Sequence, residues 1–289
     1  MHLLRSTKRE LASLLLALIF FQAGCLVRKR DVAPKGVRQV RPVLSATKEE
    51  LIARIHKVSD PIQSFTMKTD MSPSVGNLYG GQVTDYPTIS GIIYYLRPNN
   101  IRVIGLDLVV HSTAFDMVSM GDEFRVWIPS KNEFIVGENT APANSKNKLE
   151  NLRPAAFLNA LLINPPDEKD ITIQEDDTNE SKAVYILMII RREGDKYTLL
   201  RNIYFDRYTL RISRQRTFDG AGNILSDTKY GNWVIHDTVP FPANIDIQRP
   251  RDGYEVVLAA SEVKLNPGTV TPDKFVVPQP PGSQLKSLK

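Results

Sequence analysis

Few residues in this chain combine a reactive type with a useful spacing. Cys25 is the only cysteine. It follows an apolar run over 11–21 and the small pair Ala23-Gly24, with Arg5, Lys8 and Arg9 ahead of the run. A basic start, a short apolar middle and small residues at the exit are the layout of a secretory signal peptide. The run is about half of the roughly 20 residues that cross a bilayer as a helix. A thiol placed there suits modification better than catalysis. With no second cysteine, an exported chain must be held by burial rather than by disulfides. The histidines are His2, His56, His111 and His236. One lies in the leader and no two of the others have metal-ligand spacing, so no metal site is expected. His111-Ser112 is half of a nucleophile pair without an assignable orienting group. No G-x-S-x-G elbow, P-loop or dinucleotide-binding glycine pattern is present. Asp176-Asp177 and Asp195 read as loop carboxylates, and Gly220-Ala221-Gly222 as a turn. The expectation is a protein with no catalytic residues, not an enzyme.

The framework around these residues reads as mostly β. Residues 26–46 carry Arg28, Lys29, Arg30, Lys35, Arg38 and Arg41 with Pro34, Gly36 and Pro42, and no apolar period, which marks a tether. Fully extended it would reach roughly 70 Å at about 3.3 Å per residue. Thr47 and Glu50 form a capping-box signature, and Leu51, Ile55 and Val58 then share one face. A helix is expected over 47–58, stopped by Asp60-Pro61. From Ile62 the period drops to two. Strands are expected over 63–71, 88–96, 101–110, 114–120, 123–128 and 133–137, with a Gly-rich loop or ragged hairpin over 77–85. Parity switches near Gly105, which signals a bulge, and Gly121-Asp122 is a hairpin turn. Residues 141–151 are polar and irregular. A second helix is expected over 153–163, with Pro154 in its first turn and Phe157, Leu158, Leu161 and Leu162 as its apolar face. The acidic stretch 167–181 reads as a loop or an exposed edge. A meander of long strands follows over 182–192, 196–205, 209–217, 223–235, 243–248 and 254–265. Residues 278–289 read as a flexible tail. The total is about eleven strands and two helices.

Composition and face patterning narrow this further. Hydrophobic residues make up 42% of the 289, enough for a sizeable core, and the net charge of +5, about +3 without the basic leader, is too mild to argue for nucleic acid. The stretch 183–190, AVYILMII, is apolar on both parities, as is 92–96, so these strands should be covered on both sides. Residues 209–217, with Arg211, Arg214 and Arg216 interleaved, have a wetter face. A strongly twisted sheet wrapped over two helices, with an apolar concave face, would produce this mixture.

The segment ending Ala23-Gly24-Cys25 resembles the lipobox of bacterial lipoproteins, with Gln22 where leucine is usual. That resemblance implies cleavage before Cys25 and covalent acyl and diacylglyceryl groups, such as palmitate, on it. It divides the chain into a signal peptide 1–24, a tether 25–46, a domain 47–277 and the tail 278–289. Leu26, where aspartate is absent, is compatible with outer-membrane sorting. Over 47–277 the chain resembles the LolA/LolB lipoprotein-trafficking superfamily. The likeness lies in the helix leading into Ile62-Gln63-Ser64-Phe65-Thr66-Met67, the strand pair over 88–108 and the hairpin over 120–128. It extends to the middle helix over 157–163 and to Lys229-Tyr230-Gly231-Asn232-Trp233 before Phe241-Pro242.

The superfamily resemblance implies a mainly β, open half-barrel antiparallel sheet of about eleven strands with two or three covering helices. It also implies an apolar cavity that takes acyl chains. The cavity residues expected are Ile92, Tyr94, Leu96, Val103, Phe115, Phe157, Leu161 and Leu187. The family's membrane-inserting loop would be 74–79, with Val75, Leu78 and Tyr79. The partners implied are the membrane through the lipid anchor, lipoprotein acyl chains or another lipid, and a periplasmic carrier protein. The location implied is the outer membrane of a diderm bacterium, facing the periplasm. The alternative is an envelope sensor or assembly lipoprotein that grips a protein or peptide with the same fold.

Overall fold

The computed structural model describes residues 42–77, 81–139 and 153–288. The leader, Cys25 and the basic stretch as far as Arg41 lie outside the described residues, as do Leu78, Tyr79 and 140–152.

Helix α1, Lys48–Ser59, begins at the capping box. The Glu50 N–H donates to Thr47 Oγ1 at 3.2 Å, and the Thr47 N–H donates to Glu50 Oε2 at 2.8 Å. Two backbone donors with no partner inside the helix are thereby satisfied. Leu51 and Ile55 are buried on the inner face of α1. The strands before the second helix are β1 Ser64–Asn77, β2 Gln82–Asp85, β3 Ile89–Leu96, β4 Asn100–Leu106, β5 Thr113–Met120, β6 Glu123–Ile128 and β7 Glu133–Glu138. Helix α2 is Pro154–Leu161. After it come β8 Asp170–Thr178, β9 Ala183–Glu193, β10 Lys196–Asp206, β11 Ile212–Phe218, β12 Ile224–His236, β13 Val239–Arg249, β14 Tyr254–Leu265 and β15 Gln284–Leu288.

The strand order is β15-β7-β6-β5-β4-β3-β1-β14-β13-β12-β11-β10-β9-β8, with β2 paired to the end of β1. Neighbours are antiparallel except β15 and β7, which run parallel. The order is a path with two ends, so the sheet is open. The fifteen strands among the described residues exceed the expected eleven, and β15 is among the additions. The acidic stretch 167–181 takes its edge form, as β8 at one end of the sheet. The tail expected to be loose instead supplies β15. It satisfies the unpaired backbone groups of β7, with Gln284 N–H donating to the Asn132 carbonyl at 2.8 Å and Lys286 Nζ 2.6 Å from Glu133 Oε1.

Directly opposed residues share a face, so register assigns the faces. Met67, Ile93, Val103, Met117, Val126 and Ile135 form one inner row. Leu187, Ile203, Gln215, Thr228, Ile247 and Val256 form another across the second half. Both helices lie against this inner face. Helix α2 is hooked on by Tyr230, whose hydroxyl donates to the Ala160 carbonyl at 2.8 Å, and by Gln215 Nε2, which donates to the Asn159 carbonyl at 3.0 Å.

The outer face of β3–β7 is covered by a strap from the C-terminal segment. Val270, Phe275 and Val277 pack with Val118 and Phe134, and with Tyr94, Leu96, Trp127 and Val136 around them. Arg102 pins the strap. It is bidentate to Asp116 at 2.9 and 2.6 Å and donates through Nη1 to the Lys274 carbonyl at 2.7 Å. Among the described residues no helix is long and apolar enough to cross a membrane.

Candidate functional site

The inner rows are filled at the centre of the sheet but not at one rim. There a hollow of about 400 Å³ opens. Its walls are Met71, Ile89, Phe115, Met117, Val126 and Phe157, with Phe124, Ile128, Ile135 and Val256 behind them. Tyr86, Pro87, Asp107, Ser130 and Lys131, at strand ends and turns, stand at the mouth. Of the eight residues of α2, only Phe157 reaches the hollow.

Of the residues expected in the cavity, Phe115 and Phe157 line this hollow. Val103, Leu161 and Leu187 face the same side but are packed within the core. Ile92, Tyr94 and Leu96 lie on the opposite face from Ile93 and Tyr95, and the strap covers Tyr94 and Leu96. The stretch 92–96 is apolar on both parities, so its pattern gave no means of choosing the inner face. Met71, Met117, Val126 and Ile128 were missed. The signal for the last two was present: Phe124, Val126 and Ile128 alternate with Arg125 and Trp127.

The β4–β5 connection stands beside the mouth. Leu108, Val109 and Val110 are exposed there, Val109 at 86% and Val110 at 71%. The tip is held from within. Asp107 Oδ1 accepts from the N–H groups of Val109 at 2.8 Å and Val110 at 3.0 Å, and these bonds hold its carboxyl below the usual aspartate range. The Asp107 N–H donates to the Ser112 carbonyl, and His111 takes a left-handed φ of 54°. Strand β4 was expected to continue to Val110. It stops at Leu106 because the bulge at Gly105/Leu106 turns the chain and the Asp107 side chain claims the next backbone donors. Of the expected membrane-loop residues, Val75 is half-buried in β1 between Tyr254 and Thr84, while Leu78 and Tyr79 lie outside the described residues.

The histidines are scattered. His56 Nδ1 is 2.8 Å from Asp60 Oδ2, His111 sits in the β4–β5 tip and His236 lies edge-on to Phe241. Among the described residues no three His, Cys, Asp or Glu side chains are grouped to hold a metal ion.

An open antiparallel sheet curled over two helices, with an apolar hollow at one rim, is the half-barrel of the LolA/LolB-like fold. A LolA superfamily protein from Nitrosomonas europaea superposes with a TM-score of 0.52 at 13% identity, covering 81% of this chain and 99% of that one. A DUF1329 family protein from Desulfovibrio piger gives 0.53 at 14%, covering 78% and 97%. A putative outer membrane lipoprotein-sorting protein domain from Vibrio parahaemolyticus gives 0.51 at 11%, covering 78% and 94%. The likeness is one of fold. No protein-family model and no curated protein sequence matches the chain.

Proposed function

We propose that this protein is a lipid-anchored, periplasm-facing binding protein of the bacterial envelope, not an enzyme. It takes acyl chains of lipoproteins, or of another lipid, into the rim hollow and aids lipoprotein localisation to the outer membrane. The observation that carries this reading is the coincidence of an open apolar hollow with an exposed apolar tip at the same rim. A volume of about 400 Å³ lies within the roughly 300–1,000 Å³ of ligand pockets. Met71 and Met117 in its wall adapt to the shape of a guest. Each methylene withdrawn from water is worth about 0.8 kcal/mol, so an acyl anchor needs such shielding to cross an aqueous gap. Leu108, Val109 and Val110 give the mouth a foothold in the bilayer interface, and acylation of Cys25 keeps the domain beside its membrane. The fold shared with a lipoprotein-sorting domain supports the same reading.

The test is lipid extraction and mass spectrometry on untagged protein purified from membranes under gentle conditions. The expected result is a copurified acyl lipid in near-stoichiometric amount, together with a diacylglyceryl-modified peptide beginning at Cys25. An unmodified amino terminus, no bound lipid, and no fatty-acid uptake by the delipidated chain would overturn it. One stoichiometric protein partner, with lipoprotein sorting unchanged on deletion, would point instead to an envelope sensor or assembly factor.

A further inference from the structure

Two glycines lie side by side on the inner face under this hollow. Gly91 of β3 is the register partner of Gly105 of β4. Neither has a left-handed φ, so the backbone conformation at both positions accepts any residue. Glycine also weakens a strand interior, which makes a pair of them costly without a reason of space. The space above them is in use. A Cβ on Gly91 would stand 2.5 Å from Met71 Cε and 2.9 Å from its Sδ, and one on Gly105 would stand 2.5 Å from the Phe115 ring and 2.9 Å from Ile89 Cδ1. Met71, Phe115 and Ile89 are all walls of the hollow. In the next row Ile93 and Val103 are fully buried, so along β3 and β4 the glycine row is as deep as a guest can reach, while on β5 and β6 the hollow also takes in Met117 and Val126 of that next row. Thr69 bounds the glycine row on the β1 side, and its hydroxyl donates to the Asp70 carbonyl at 2.9 Å.

We infer that Gly91 and Gly105 set the length of acyl chain that the hollow accepts. They form a floor without side chains over which Met71 and Phe115 lie in the empty protein, and from which the Met71 side chain swings aside to admit the terminal end of a long guest. This rests on the acyl-binding reading above. The floor is two adjacent strands wide, about 5 Å between strand axes, which suits one unbranched chain. Methionine has three rotatable side-chain bonds and a polarisable sulfur, so it moves at small cost. An added methyl at either glycine would prop its neighbour up into the hollow, shortening the hollow without closing the mouth.

The experiment is displacement of a fluorescent apolar dye from the delipidated full chain by octanoate, decanoate, palmitate and stearate. Gly91→Ala and Gly105→Ala should each weaken palmitate and stearate by about tenfold, the worth of roughly two buried methylenes. Octanoate and decanoate should stay within about twofold. Met71→Ala, which only adds room, should favour stearate over decanoate relative to the parent chain. Gly91→Ala/Met71→Ala should recover the long acids, and it tests the idea even where Gly91→Ala alone folds poorly. Equal losses at every chain length, or none at any, would overturn the glycine assignment and leave acyl binding intact. A parent chain that takes up none of the four acids would end both.

Discussion

Asp227 shows how single residues make the outer face of the second half more than a wet surface. Its carboxylate is nearly buried, and it is gripped by Arg214 through Nε at 2.5 Å and by Arg216 through Nε at 3.0 Å, with Tyr204 beneath both guanidinium groups. Burial pushes the Asp227 pKa up, but the hydrogen bonds and charges of the two arginines outweigh it and hold the group below its ordinary value. A carboxyl depressed in the folded state stabilises fully above the unfolded aspartate pKa near 3.9, and that contribution is lost as pH falls below it. Asp227→Asn should therefore cost about 3 kcal/mol at neutral pH, because two cations are left facing each other. It should also flatten the loss of stability between about pH 5 and pH 2. Urea midpoints across that range measure both effects, and an unchanged acid slope would show that other carboxylates dominate. Tyr230→Phe is a gentler probe. Losing its hydrogen bond to the Ala160 carbonyl should cost about 1 kcal/mol and loosen α2, read as faster amide exchange over 154–161.

At the scale of elements, the chain announced α1 completely, because a capping box is a local signal that the backbone must answer. The hairpins at Gly121-Asp122 and the bulge at Gly105 were legible for the same reason. Strand β15 was not, since an exposed edge strand lacks the one-sided burial that writes alternation into a sequence, whereas the stretch of β8 reads as a loop or an exposed edge and takes the second form. In β15 four of the five residues are exposed. The face of β3 was illegible too, because what buries its outer side is a strap some 170 residues downstream, which no local pattern records. The strap makes its own prediction. Phe275 of the strap is fully buried against the sheet, so Phe275→Ala should cost about 3–5 kcal/mol. Deleting 267–289 should expose Trp127, Phe134 and the edge of β7 together. The expected outcome is self-association, seen as a larger sedimenting species, because an uncovered apolar edge strand is a template for pairing. A truncated chain that stays monomeric with an unchanged melting point would show that the strap holds nothing.

At the scale of the whole molecule, the proposed acyl-binding mouth and the end of the domain that the tether enters sit at opposite rims of the sheet. The mouth and the Val109–Val110 tip lie where β4 ends and β5 begins. The incoming chain is fixed at the other rim. The Leu44 N–H donates to the Arg207 carbonyl at 2.7 Å, in the turn between β10 and β11, and Arg207 Nε donates back to the Leu44 carbonyl at 3.1 Å. Leu106 at the mouth is level with Ser90 and Asp70, six residues along β1 from Ser64, so about 20 Å of strand separates the two rims. Residues 25–41 extend to at most about 60 Å. A domain anchored at Cys25, as proposed, can thus bring its mouth back to the same bilayer with length to spare. Removing 28–41 would leave about 10 Å, too short for the return. The deletion is expected to abolish lipoprotein delivery to that membrane while leaving fatty-acid uptake in solution unchanged. Val109→Asp with Val110→Asp should leave the unfolding free energy within about 0.5 kcal/mol of the parent, since both side chains are already in water, and yet remove binding of the unanchored domain to phospholipid vesicles. Delivery that survives the shortened tether would mean that the mouth works away from the anchoring bilayer. Vesicle binding that survives both aspartates would mean that the tip is not the contact.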